Sequence, residues 1–464
     1  MTTLLALDKA SGATLGSVAA TTAADVDAAV ERAAQAQAGW AALTYAERAA
    51  VLRRAAAELG ARAAALRELI VRETGSIPGK ADYEIGAATG ELYEAAGLAS
   101  RPVAEVRPSN HAGRFSLAER VPLGVVAAIT PWNFPLVLGM RVIAPALALG
   151  NAVVLKPSPE TPLSGGAALA ELFEAAGLPP GVFEVVQGGA EVGERLVVHP
   201  ATAMVHFTGS TAVGRSIAAT AGGLLKKVSL ELGGNNALVV LDDADVEQAA
   251  MIGAWSSFHY QGQTCITAGR HVVHAAVADA YVAALTARAA AIRVGDPHTD
   301  AVGLGPMING RQHARAAELL SAAVADGATV LTGGPEPVPY FRPAVVTSVH
   351  PGMRLWREEI FAPVAPVLVV ADEEEAIRVV NDTEYGLVNS VVTADQRRGL
   401  AVARRLRGGM AHVNDATPQD EALAPFGGIG QSGLGGRSGG DDNLDEFTQR
   451  RWLTTTEVAP HYPY

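Results

Sequence analysis

The chain has one cysteine, Cys265, among 464 residues, which excludes any internal disulfide. It has no excess of positive charge: 36 Lys and Arg stand against 48 Asp and Glu, a net charge of −12, with no basic run. A nucleic-acid surface needs the opposite balance. Every long apolar stretch is interrupted by Pro, Asn or Arg well short of 18 residues, so no transmembrane helix is expected. The first eight residues, Met1 to Asp8, lack the basic region and apolar length of a secretion signal. The sequon Asn381-Asp382-Thr383 therefore carries no message. No His or Cys cluster suits zinc, so no metal is expected. These absences describe a cytoplasmic protein without nucleic-acid, membrane or metal partners.

What is present is a globular composition, 49% apolar and 18% charged, in a length that fits about three domains or one large two-domain enzyme. Residues 22 to 100 read as helical, with Thr21 or Thr22 capping a run to Trp40, a second run from Tyr45 to Glu73, and Gly60 and Gly75 as stops. From Gly124 the texture alternates. Apolar runs at 124–129, 152–155, 182–186, 203–207 and 227–231 are separated by helical stretches at 136–149, 164–176, 190–198 and 211–221. That is the pattern of a doubly wound parallel sheet. A second alternating series begins at Ala237 and continues past Met410, placing a boundary near residues 233 to 235. The fold class expected is α/β, with two doubly wound units meeting around Glu231 and Cys265, where ligand sites prefer to lie. Arg114 to Val121 and Arg451 to Val458 alternate weakly and belong to neither series; they read as edge strands that pair with each other or with a second subunit.

Several short motifs sit at the ends of these runs. Gln261-Gly-Gln-Thr-Cys265 surrounds the thiol with small and polar residues, and Glu231-Leu-Gly-Gly234 offers a carboxylate followed by two glycines. A lone cysteine is often a small core residue. A thiol and a carboxylate beside permissive glycines also suit covalent catalysis followed by hydrolysis. Phe207-Thr-Gly209-Ser210-Thr-Ala-Val-Gly214 joins a strand to a helix, either as a plain tight turn or as an anion site at a helix start. Asn133, in Thr130-Pro-Trp-Asn-Phe-Pro135, either caps the next helix or donates to an oxyanion. Lys156, in Lys156-Pro-Ser-Pro-Glu160, is either solvated or holds a ribose or phosphate. Gly428-Ile-Gly-Gln-Ser-Gly433 matches G-x-G-x-x-G in form only, because no strand leads directly into it and no helix can follow; it is expected to be a flexible or tightly turning loop near a site.

The ordered set TPWNFP, KPSPET, FTGSTAVG, ELGG, GQTC, EEIFAPV and PFGG resembles the aldehyde dehydrogenase superfamily from about residue 5 to residue 455. SLELGGNNALVVLDDAD, AVVLKPSPET and HVNDATPQDEALAPFGG look most like its benzaldehyde and vanillin dehydrogenase branch. The resemblance implies NAD(P)-dependent oxidation of an aldehyde, aromatic in this branch, to the carboxylic acid. It implies Cys265 as nucleophile, Glu231 as base for the hydrolytic step and Asn133 as oxyanion donor. It places the cofactor against Ile129, Trp132, Lys156, Ser158, Gly189, Phe207, Thr208, Gly209, Ser210, Val213, Gly214, Leu232, Gly233, Glu359 and Phe361. By position the aldehyde pocket draws on Phe134, Leu138, Tyr260, Thr264, Ile266 and Phe426, with aromatics near its entrance. The domains implied are residues 1–108 and 125–233 for NAD(P), 234–435 for catalysis, and 109–124 with 436–464 as an oligomerisation arm of a homodimer or homotetramer.

One position departs from the family pattern. Many NAD-preferring members carry a glutamate three residues after the lysine, where it accepts from the ribose 2′-hydroxyl; here that place holds Pro159, and the glutamate follows at Glu160. NAD and NADP are therefore both expected to serve. Two other functions compete. CoA-acylating oxidation would replace water by a thiol, and a non-catalytic protein could reuse the fold. The intact Glu231 opposes the first, and the joint presence of Asn133, Glu231 and Cys265 opposes the second.

Overall fold

The computed structural model describes residues 3–101, 103–459 and 461–464. Two sheets dominate. The first runs in the order Gly433–Leu434, Lys227–Leu232, Thr202–Gly209, Val125–Ile129, Ala152–Lys156, Phe183–Val185. Its last five strands are parallel. Such a sheet is covered on both faces, which is why Val125–Ile129 is an unbroken apolar run. Val126 and Ala128 pack toward the helices Tyr45–Ala61, Pro78–Leu98 and Pro135–Ala148, and Val125, Ala127 and Ile129 pack toward Ala23–Ala42 and Ala190–Val198. The strand order reverses between Val125–Ile129 and Thr202–Gly209, so a crevice opens at their carboxyl ends.

The second sheet runs Thr329–Pro335, Phe341–Thr347, Val364–Val370, Ala268–His274, Asn236–Val240, Val388–Val392, Met410–Val413. It is parallel except for Thr329–Pro335 at its edge. The chain passes from one sheet to the other between Leu232 and Asn236. A third, small sheet joins Ala104–Val106, Arg114–Pro122 and Thr448–Thr456, with Arg114 opposite Thr456 and Pro122 opposite Thr448. The two weakly alternating segments thus pair with each other.

Some expectations are corrected. Gly60 stops nothing, because the helix Tyr45–Ala61 continues through it; the left-handed stop is Gly75, at φ 72°. The helix expected from Ser164 starts as a π-helical turn, Leu163–Ala167, before the α-helix Ala168–Ala175. Of the two readings of the segment after Gly428, the tight turn applies: Gly430–Ser432 turns and leads into Gly433–Leu434, an antiparallel edge beside Glu231 and Leu230. Among the described residues, no helix is long and apolar enough to cross a membrane.

Candidate active site

The loop that carries Cys265 is built by a rare turn. After the helix Val246–Phe258, Tyr260, Gln261 and Gly262 take successive left-handed conformations, at φ 49°, 55° and 64°. For the two non-glycine residues this costs roughly 1–3 kcal/mol each, and it persists only where the surroundings enforce it. They do so here. Gln261 Nε2 donates to the carbonyls of Gly75 (3.1 Å) and Pro306 (2.7 Å), and Ile308 N–H donates to Gln263 Oε1 at 2.9 Å. Gly262 has no alternative residue, since a Cβ there would lie 2.2 Å from the Ala362 carbonyl oxygen. Asn236 Nδ2 then fixes the carbonyls of Cys265 and Thr267, at 2.8 and 2.7 Å.

Cys265 is only partly buried. It packs in a small apolar collar of Ile266, Phe426, Leu387, Val388 and Met410. Burial, and secondarily the Glu359 carboxylate, push its thiol up to about 12. Glu231 stands near the end of Lys227–Leu232, paired in register with Thr208. It is buried, and its Oε2 has no hydrogen-bond partner among the described residues. Burial pushes it up to about 8, against the pull of Arg141 and Arg437. Its Oε1 lies under Gly427, where a Cβ would come within 2.9 Å. Of the two readings of Asn133, the capping one fails: the N-cap of Pro135–Ala148 is Phe134, without a side-chain bond. Asn133 Nδ2 instead donates to the Gln263 carbonyl at 3.1 Å, turned toward the thiol's loop.

The residues expected around a cofactor converge on the carboxyl ends of the first sheet. Ile129 pairs with Lys156 on one side and with Phe207 on the other. Ser210 precedes the helix Thr211–Gly223 without capping it, so the first N–H groups of that helix are free of side-chain partners. Gly209 leaves room for the Phe207 ring, which a Cβ would meet at 2.4 Å, and Gly214 leaves room for Leu232. Val213 is exposed on the same helix. Lys156 is buried, donates to the carbonyls of Pro157 and Gly188, and is pushed down to about 8 by burial. Ser158 accepts from Glu160 N–H, and Gly189 N–H donates to Glu191. Glu359 lies against Gly233, accepts from Gly234 N–H at 3.2 Å, and is pushed up to about 7 by burial. Phe361 meets Trp132 edge-on at 5.5 Å. An uncapped helix start beside Gly209, with a buried carboxylate across the crevice, fits a dinucleotide: amides for its diphosphate and a carboxylate for a ribose.

The substrate residues divide. Ile266 and Phe426 reach the thiol's collar, and Thr264 is buried with its hydroxyl unpartnered. Phe134, Leu138 and Tyr260 belong to the large core beneath the helices. Tyr260 is no entrance aromatic: it is 1% exposed, edge-on to Phe134 at 5.5 Å, with its hydroxyl 3.4 Å from the Thr74 carbonyl.

Sequence reasoning missed a charged cluster beside this collar. Arg141 lies in the wholly buried helix Pro135–Ala148, with its guanidinium 4.5 Å over the Phe426 ring. Its Nε bonds Glu91 at 3.2 Å, its Nη2 bonds Asp420, and its Nη1 has no partner among the described residues. The signal was legible: Arg141 is the one charge in PLVLGMRVIAPALA. Burial opposes that charge, but the carboxylates of Asp420 and Glu91 more than offset it.

The chain is similar to known proteins along nearly its whole length. A family model described as "Aldehyde dehydrogenase family" matches residues 2–453. A vanillin dehydrogenase of Amycolatopsis sp. is 48% identical over 459 residues, covering 99% of this chain and 94% of the relative. A benzaldehyde dehydrogenase [NAD(+)] of Pseudomonas putida is 48% identical over 458 residues, with the same coverage. Among solved structures, a salicylaldehyde dehydrogenase from Pseudomonas putida G7, complexed with salicylaldehyde, superposes with a TM-score of 0.96 at 34% identity, covering 100% of this chain and 96% of that one.

Proposed function

We propose, from the premise that this chain belongs to the aldehyde dehydrogenase family, that it oxidises an aromatic aldehyde to the carboxylic acid at Cys265. As a member it is an NAD(P)-dependent aldehyde oxidoreductase. The observation that carries the proposal is the setting of the only thiol: partly open, collared by Ile266 and Phe426, with the Asn133 amide turned to its loop. A flat ring suits those apolar walls. The names of the two 48%-identical relatives point the same way.

The chemistry follows from the residues. A thiol near 12 is neutral at physiological pH, so its proton has to go to a base as Sγ attacks the carbonyl carbon. The unpartnered Oε2 of Glu231 is the available acceptor. The carbonyl oxygen becomes an oxyanion that takes hydrogen bonds from the Asn133 amide and the Cys265 backbone N–H. NAD(P)+, when bound, would supply the acceptor for the hydride whose loss leaves a thioester on Cys265. It would be held by the amides after Gly209, by Lys156 and by Glu359. Glu231, having released its proton, then deprotonates a water that attacks the thioester and frees the acid and Cys265.

Both cofactors serve on this reading. Pro159 neither bonds a 2′-hydroxyl nor repels a 2′-phosphate, and Glu160 is tied to Lys9 Nζ (2.8 Å) and Asn309 Nδ2 (2.9 Å), away from that duty. Residues 1–108 and 125–233 are assigned to a cofactor domain, 234–435 to a catalytic domain, and 109–124 with 436–464 to an arm that joins two copies, with two adjustments at the bounds: Ala104–Val106 goes with the arm sheet and Gly433–Leu434 with the cofactor sheet. The deciding experiment follows cofactor absorbance with benzaldehyde, with and without CoA, for NAD and NADP. One equivalent of acid per reduced cofactor without CoA is expected. Reduction that needs CoA would turn the reaction into acyl transfer, and faster oxidation of aliphatic aldehydes would remove the aromatic substrate.

A further inference from the structure

Behind the site lies an ion pair that none of this chemistry uses. Lys80 and Glu84, one turn apart on the helix Pro78–Leu98, bond at 2.6 Å with both side chains wholly buried. A buried pair of this kind is weak evidence for stability, because well-packed apolar residues often do as well or better. What singles this one out is what it touches. Glu84 Oε1 accepts the N–H groups of Leu136 (2.7 Å) and Val137 (3.3 Å). Those are the first-turn donors of Pro135–Ala148, the helix that begins two residues after Asn133 and has no side-chain cap of its own. The carboxylate therefore caps that helix from outside, where its negative charge also meets the positive end of the helix dipole. Lys80 Nζ sits 4.3 Å from the ring centre of Phe134 and 4.4 Å from that of Tyr260. Phe134 follows Asn133, and Tyr260 opens the left-handed turn that delivers Cys265. An ammonium between two aromatic faces holds both.

We infer that Lys80 and Glu84 are a positioning pair for the first chemical step, setting the Asn133 amide against the Cys265 thiol by tying the start of each loop to one helix. Neither touches the reacting atoms. The pair acts through Leu136, Phe134 and Tyr260, so its loss loosens the oxyanion site without emptying the cofactor crevice. The inference rests on Cys265 being the nucleophile.

The test is the double variant Lys80→Met/Glu84→Gln, which removes both charges together and leaves an oxygen that can still accept from Leu136. The pre-steady-state burst of reduced cofactor with benzaldehyde is expected to slow tenfold or more. The dissociation constant for NAD(P)+ is expected within twofold of wild type, and the melting temperature within a few degrees. A purely structural pair would move melting and leave the burst alone, so a burst within twofold of wild type overturns the inference. If the double variant does not fold, Glu84→Asp takes its place: it keeps the charge beside Lys80 but draws the carboxylate back from Leu136. The same slowing is expected there, and an unchanged burst is equally fatal. A wild type that reduces no cofactor with any aldehyde would remove the role of Cys265, and this inference with it. A normal wild-type burst beside an unchanged variant removes the inference alone.

Discussion

At the scale of single residues, the site is governed by dehydrated acids. Glu231 stands near pH 8 because burial penalises its charged form. A base works only when deprotonated. Turnover limited by Glu231 should therefore rise about tenfold per pH unit below about 8 and level off above it. Glu231→Gln should remove that limb and cut turnover by about a hundredfold or more, leaving at most one slow equivalent of reduced cofactor; a pH series of steady-state and burst rates checks both. Near-normal turnover in the variant would assign the base elsewhere. Cofactor choice belongs to the same scale. Pro159→Glu should raise the KM for NADP roughly ten- to hundredfold, about 1–3 kcal/mol, and that for NAD far less. kcat/KM for both cofactors in both proteins is the measurement, and a wild type that rejects NADP outright would show that another residue guards the ribose. Cys265, Glu231 and Asn133 were legible because each sits in a short motif at a strand mouth. Arg141 left a signal as the one charge in an apolar run, whereas Lys80 and Glu84 left none, because only the fold carries them to the thiol's loop.

At the scale of elements, legibility followed burial symmetry. Val125–Ile129 and Ala152–Lys156 are covered on both faces and read as plain apolar runs. Thr329–Pro335 lies at an edge, is half-exposed and contains two glycines, so no pattern betrayed it. The π-helical turn at Leu163–Ala167 and the left-handed turn at residues 260–262 are set by tertiary contacts that sequence period does not encode. The second of these offers a test. Gly262→Ala places a methyl against the Ala362 carbonyl and strains a positive φ together. It should destabilise the protein by roughly 1–3 kcal/mol and shift the nucleophile enough to reduce kcat by tenfold or more. Thermal melting and a benzaldehyde assay would register both, and an alanine variant with normal kcat would show that the loop tolerates the shift.

At the scale of the whole molecule, the small three-stranded sheet presents apolar side chains to solvent. Trp452 is 68% exposed on one face, and Phe115 and Leu453, which alternate with it along the two paired strands, are exposed on the other. Exposed apolar side chains on this sheet fit the proposal that it joins two copies. The expected outcome of light scattering at micromolar concentration is a dimer or tetramer of the 47.7 kDa chain. A fully active monomer would be the contrary result.

The pairing of Gly433–Leu434 with Glu231 and Leu230 has a consequence for how the protein is made. A ribosome delivers Lys227–Leu232 long before residue 433, and Arg114–Pro122 long before Thr448–Thr456. Between the synthesis of Leu232 and that of Gly433 the nascent chain therefore carries two strands without their final neighbours, one of them bearing Glu231. Open edges of this kind recruit other chains. The last thirty or so residues act in effect as a seal, and a message truncated shortly before them is expected to yield a chain that keeps Cys265, Glu231 and Asn133 and aggregates.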